Sequence, residues 1–359
     1  HAECLMNIFR RFFHRPFIIR LFNWEYWPFG VVYTLIFPVW IILGIRARSF
    51  FFFNASNPSI ENGGLLNESK KNIHAILPNH LYPRSLHFPV SSSGDLVLQA
   101  VRDAGMIYPV FGKPDVGGKG KGVQKILNDN ELLDYCKKAV IDFHIQEMVP
   151  FDKEVGIFWY RYPGEKEGRI SGIVRKEFLT VTGNGRDSIR TLLLSDKRGI
   201  MYAENISKVL GDEVNHILPA GEQKVVSPYG NHARGSMFLD DTHLADEQLN
   251  LTMNQIARQI PDFYFGRLDV KFRDWDSLKA GRDFKIIEVN GAGSEPTHIY
   301  DPGHSLFFAW KEIIRHMWVM NTISIMNHNR GVAYLSFSEG VSMYRKYKRL
   351  SKVLSAMPS

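Results

Sequence analysis

Four polar residues, Arg267, Asp269, Glu288 and Asn290, fall at spacings that could hold a divalent cation. Within 263–272, Arg267, Asp269 and Lys271 alternate with Gly266, Leu268, Val270 and Phe272. Within 284–290, Glu288 and Asn290 alternate with Ile287 and Val289. A period of two describes strands whose polar residues share one side. If the two strands pair across the polar loop 273–282, Asp269 joins Glu288 and Asn290. Two carboxylates and an amide oxygen then stand beside the Arg267 guanidinium. Hard oxygen donors of that kind suit Mg²⁺, above all Mg²⁺ already carrying phosphates. The same pattern also describes a plain hairpin with one solvated face.

A phosphate ligand would need a cradle, and 106–126 offers one. A short strand over 106–113 runs into Pro114, after which Gly117, Gly118, Gly120 and Gly122 form a flexible loop that carries Lys119 and Lys121. Glycine lets backbone amides approach phosphate oxygens, and Lys113 at the strand end can reach the same anion. The spacing is neither that of a Walker loop nor a dinucleotide fingerprint, and a surface turn would look similar. Further on, a strand over 143–149 ends in Glu147, Met148 and Val149 at a Pro150 hinge, and Glu154 opens the next strand. Such a hinge could offer backbone hydrogen bonds to an adenine edge, with a carboxylate beyond it for ribose. Two glutamates flanking a turn are the plainer alternative.

Taken in order, Lys113, the 117–122 loop, the 147–154 hinge and then Asp269, Glu288 and Asn290 resemble the ATP-grasp superfamily. Within it the chain looks like the carboxylate-amine ligases such as D-alanine:D-alanine ligase. The run RKEFLTVTGNGRDSIRTLL at 175–193 is similar to a segment in the ATP-grasp part of cyanophycin synthetase. The resemblance covers about 106–303 and implies an α+β ATP-grasp fold, two subdomains gripping ATP. It implies that Lys113 and the glycine loop (Gly117, Gly118, Lys119, Gly120, Gly122) bind phosphates. Glu147, Met148 and Val149 would then face adenine and Glu154 ribose, while Asp269, Glu288 and Asn290 hold Mg²⁺, two ions by expectation with Mn²⁺ as a substitute. Lys176 would point toward phosphate, with Arg175 as alternative, and Arg267 would steady the transferred phosphoryl group or the tetrahedral species. The turn 291–294 would supply amide donors to an acyl substrate. The reaction implied joins a carboxylate to an amine through an acyl phosphate, releasing ADP and phosphate. The alternatives are a kinase acting on a hydroxyl acceptor and an ATP-binding scaffold without turnover. Related ligases often form dimers.

The elements that must position these groups are read from periodicity. Helices are expected over 95–104, 130–140, 246–259 and 305–320, with a basic helical tail at 343–352. Residues 54–71 are polar and turn-rich and read as a linker or loop. His232 and Arg234 would project together from an extended segment, Arg234 being suited to clamp a carboxylate or phosphate, though a surface loop fits equally. The expected division is an apolar segment at 1–53, a small α/β substrate-side unit at 54–105, the ATP-grasp domain at 106–303 and a helical segment at 304–359.

With 359 residues, 45% apolar and 23% charged, the chain can bury a large core. Its net charge of +7 fits a phosphate-rich ligand or an anionic surface. No zinc-finger spacing or aromatic nucleic-acid motif occurs, so nucleic acid is not an expected partner. Only Cys4 and Cys136 are present, which points to a reducing compartment, the cytoplasm. Residues 26–45 carry no charge but are interrupted by Pro28, Gly30, Pro38 and Gly44, with arginines on both flanks. A monotopic or re-entrant contact with the inner face of the membrane is expected from this pattern. A hairpin packed on the body or on another subunit is the alternative.

Overall fold

The computed structural model describes residues 15–354 except 119, 228, 229 and 231, so Cys4 and Lys119 lie outside the described residues. Eleven strands are seen among them: β1 (Ser85–Phe88), β2 (Val110–Pro114), β3 (Gln124–Ile126), β4 (Phe143–Glu147), β5 (Lys153–Tyr160), β6 (Arg169–Glu177), β7 (Leu179–Thr182), β8 (Gln223–Ser227), β9 (Met237–Asp240), β10 (Phe265–Phe272) and β11 (Phe284–Asn290). The described residues, a mix of helix and sheet, divide into two compact units: those within 38–173, 241–296 and 313–354 form the larger, and those within 15–37, 174–240 and 297–312 the smaller.

The larger unit holds an antiparallel sheet in the order β1-β4-β2-β3. The helices Gly94–Asp103 and Asp129–Lys138 bury Val97, Val101, Leu132 and Tyr135 in one core with Val110, Ile126, Phe143 and Ile145. Each buried aliphatic side chain there stabilises by about 1.5–3 kcal/mol. Side chains end the helices cleanly: Ser93 accepts from Leu96 N, and Asn128 accepts from Glu131 N while Glu131 reaches back to Leu127 N. A second sheet runs β11-β10-β5-β6, with Leu268, Val270 and Phe272 buried with Leu249, Met253 and Ile256 of the helix Glu247–Arg258.

Two expectations fail here for local physical reasons. The 273–282 loop contains a helix, Trp275–Lys279, capped by Asp274, whose side chain accepts from Ser277 N. Of the two readings of 54–71, linker or loop, the linker fails: the run is made mostly of turns, yet Ser56 and Asn57 are fully buried. The Asn57 side chain clamps the start of β10: Nδ2 donates to Gly63 O and Phe265 O, and Oδ1 accepts from Tyr264 N and Phe265 N.

In the smaller unit, β7 pairs with β8, and residues 174–177 of β6 pair with β9. The helices Ile189–Leu193 and Lys197–Leu210 close a core of Val181, Ile189, Leu193, Ile206 and Leu218. The apolar stretch expected at 26–45 is divided: the turn Trp24–Tyr26 and the helix Phe29–Thr34 belong to the smaller unit, and the helix Phe37–Ala47 belongs from residue 38 on to the larger. Among the described residues, no helix is long and apolar enough to cross a membrane.

Candidate functional site

Strand register decides which polar side chains share a face. In the larger unit Asp269 lies directly opposite Glu288 on β11, and Arg267 opposite Asn290. On the other side of β10, Lys271 lies opposite Glu154 of β5. Directly opposed residues project to the same side of an antiparallel pair. Arg267, Asp269, Lys271, Glu154, Glu288 and Asn290 therefore occupy one face, and Leu268, Val270 and Val289 occupy the other, which is core. A bulge between Asp269 and Val270 inserts Ile287 and ends the strict alternation.

Within that face the carboxylates are not equivalent. Asp269 is buried and held by Arg267, with Nε donating to Oδ1 at 2.7 Å and Nη2 to Oδ2 at 3.3 Å. Arg267 also donates to Glu295 O. Glu288 is exposed and forms a wall of a pocket that also takes in Glu68, Lys70, His74, Lys113 and Gly117. Burial pushes the Lys113 ammonium down to about 8 against the pull of Glu288. Burial also lowers Lys70, again opposed chiefly by Glu288, and raises Glu68. Lys70 Nζ donates to Asp115 O and Gly117 O, both at 3.3 Å, so it holds the start of the glycine loop. Glu68 Oε2 and Asn290 Nδ2 are buried with no hydrogen-bond partner. The pocket thus sets two amines against two carboxylates at a glycine loop, an arrangement fitted to an anion accompanied by a divalent cation.

The loop itself joins β2 to β3. Gly117, Gly120 and Gly122 take φ of +139°, +71° and +67°, conformations that side chains resist. Lys113 Nζ reaches Gln146 Oε1 on β4. Sequence reasoning missed Glu68, Lys70 and His74 as pocket residues. Ser69, the N-cap of the helix Lys70–Ile76, was the available signal, since its side chain accepts from Asn72 N and so marks where the flanking residues turn.

The remaining expected residues are placed as follows. Glu147 ends β4, where its Oε1 accepts from Arg84 N; Met148 is exposed and Val149 buried. Lys176, on β6, is buried in the smaller unit, to which Arg234 also belongs. His232 and Arg234 are not in an extended segment but in a 3₁₀ turn, His232–Arg234, so the side-by-side projection expected of them does not hold. The turn after β11 does not offer its amides freely either. Ala292 N donates to Gly63 O, Gly293 N to Gly64 O and Ser294 N to Gly291 O.

His87, Asp115 and His144 bring ligand atoms within 4.8 Å of one another. Asp115 Oδ1 already accepts from His144 Nε2 at 2.8 Å and from Lys71 N at 2.9 Å. Although burial opposes it, the His144 hydrogen bond holds Asp115 well below the usual carboxylate range. That network accounts for the cluster as a brace for the end of β2.

No family model matches the chain, and no curated protein matches it. Several solved structures do. VanG D-Ala:D-Ser ligase from Enterococcus faecalis aligns with TM-score 0.40 and 13% identity over 72% of this chain and 61% of its own. D-alanine-D-alanine ligase from Coxiella burnetii aligns with TM-score 0.40 and 8% identity over 78% of this chain and 61% of its own. The corresponding Bacillus anthracis ligase gives 0.38 and 13% over 70% and 67%. All three are ligases by name, and the identities are low. The chain spans about three fifths of the length of the first of them.

Proposed function

We propose that the chain is an ATP-grasp ligase that activates a carboxylate with ATP and joins it to an amine, releasing ADP and phosphate. The observation that carries this reading is the convergence of Lys70, Lys113 and Glu288 on one pocket at the glycine loop, with Asp269 directly opposite Glu288. In this reading the two amines neutralise phosphate charge and the loop amides cap the phosphate oxygens. Glu288 and Asp269, with Asn290, would hold Mg²⁺, which when bound supplies further neutralisation of the phosphates. Arg267, its guanidinium fixed by Asp269, would steady charge on the transferred group. Glu147 to Val149 and Glu154 remain the adenine and ribose side of the proposal, and Lys176 and Arg234 its assigned cations in the smaller unit. In this reading the reaction takes place in the cytoplasm. The experiment is a screen of carboxylates and amines for Mg-ATP turnover, read as ADP release and as product mass. Release that needs both a carboxylate and an amine, with amide formed, is expected. A phosphorylated hydroxyl acceptor without amide would overturn the ligase in favour of a kinase, and binding of ATP without any turnover would leave a scaffold.

A further inference from the structure

Residues 16–37, in the smaller unit, present apolar side chains on the side that ordinary surface helices make polar. Their inner side is tied down. Ile19, Val32 and Ile36 are each 2% exposed. The Trp24 ring stacks on Tyr300 at 5.4 Å and its Nε1 donates to His304 O, while Trp310 Nε1 donates to Val32 O. Glu25 turns inward to meet Arg198 at 2.5 Å and His232 at 2.9 Å, its side chain 9% exposed. Their outer side holds Phe17 (73% exposed), Leu21, Phe22 (72%), Phe29 (61%) and Leu35 (62%), and Phe307 of the same unit is 78% exposed.

The charge on this segment is equally one-sided. Between 16 and 37 the charged residues are Arg20 and Glu25. Glu25 is consumed by the inward pair, so of the two charged residues of 16–37 the outer side keeps the exposed Arg20. In sequence, Arg10 and Arg11 precede it. Large exposed rings and aliphatic side chains, with a cation among them, match the acyl boundary and headgroups of an anionic bilayer. The two helices here, Pro16–Phe22 and Phe29–Thr34, have seven and six residues and can only lie in the interface. We propose that this face docks the smaller unit on an anionic lipid surface as a monotopic contact, with Phe17, Phe22, Phe29 and Leu35 inserted and Arg20 among the headgroups. It does not depend on the ligation chemistry.

The test is co-sedimentation of the full chain with vesicles of phosphatidylcholine alone and of phosphatidylcholine mixed with phosphatidylglycerol. Binding is expected to the mixed vesicles and to weaken with salt. The double variant Phe17→Gln, Phe22→Gln should lose at least tenfold in partitioning while melting like the parent, because both rings are more than 70% exposed. A triple variant adds Phe29→Gln. Arg20→Gln should weaken binding to mixed vesicles and leave the neutral ones unaffected. Failure of the parent to bind mixed vesicles, or equal binding by the triple variant, overturns the proposal. A parent dimer that the triple variant dissolves, with no vesicle binding, overturns it in favour of self-association.

Discussion

Replacing Asp269 and replacing Glu288 should have separable consequences, although both are expected to end turnover. Asp269 is 3% exposed and its partner Arg267 14%. Asparagine at 269 retains an oxygen for Arg267 Nε but sets an amide NH₂ against Arg267 Nη2, where Oδ2 now accepts. Removing one member of a buried ion pair costs about 3–5 kcal/mol. The retained neutral hydrogen bond returns about 1 kcal/mol of that. Asp269→Asn should therefore destabilise the larger unit by about 2–4 kcal/mol, which at a urea slope of about 2 kcal/mol per molar lowers the midpoint by about 1–2 M. Glu288 is exposed, so Glu288→Gln should cost less than Asp269→Asn, its cost set by the negative charge withdrawn from the buried Lys70 and Lys113. The assay is urea unfolding followed by tryptophan emission, Trp159 being buried in the same sheet, alongside ADP release at saturating Mg-ATP. Coincident midpoints for Asp269→Asn and the parent would refute the ion-pair reasoning. Full turnover in Glu288→Gln would refute the cation assignment. Glu288→Gln is thus the cleaner probe of chemistry, since loss of activity in Asp269→Asn mixes two effects.

Three further outcomes follow from particular contacts. With Lys113 held at about 8 in the folded chain against 10.5 when free, the unfolded chain binds more protons between those values, so stability should rise with pH across that window. Nucleotide affinity should fall over the same window as the cation is lost, and Lys113→Arg should flatten that fall; titration calorimetry at pH 7, 8 and 9 checks both. Gly112→Ala sets a Cβ 2.6 Å from the buried Tyr135 ring and should cost about 1–3 kcal/mol, seen as a lowered melting temperature. Asn57→Ala removes the acceptor of the Tyr264 and Phe265 amides and a donor to Phe265 O, while Gly63 O keeps Ala292 N; a buried group left unpaired costs about 1–3 kcal/mol, so the variant should melt well below the parent.

Much of the candidate site was legible because its logic is local. Alternation along β10 and β11 puts Arg267, Asp269, Glu288 and Asn290 on one face whatever the remaining chain does, and a hairpin brings the two runs together. What local logic misses is burial. A turn-rich run such as 54–71 looks like a linker, yet Asn57 turns it into a clamp through hydrogen bonds to partners about 207 residues away. Lys70 is hidden for the same reason: it reaches the pocket through the carbonyls of the glycine loop, a contact that no spacing in its own helix announces.

The unequal roles of the two carboxylates are a subtler case, because the information was present. Residues two apart on one strand share a face. An arginine two positions before an aspartate on the polar side of a central strand is therefore a competitor for that aspartate before any metal is considered. Asp269 sits in that position and Glu288, with Val289 and Ile287 beside it, does not. The exposed carboxylate consequently falls to the edge strand β11 and the ion-paired one to β10. A cation at this face would approach from the side of Glu288, with Asp269 able to contribute only while it still holds Arg267. Arg267 and the cation would then be coupled through one carboxylate, so that Mg²⁺ should bind Arg267→Met more tightly than the parent if the competition is real, and no tighter if Asp269 serves the guanidinium alone.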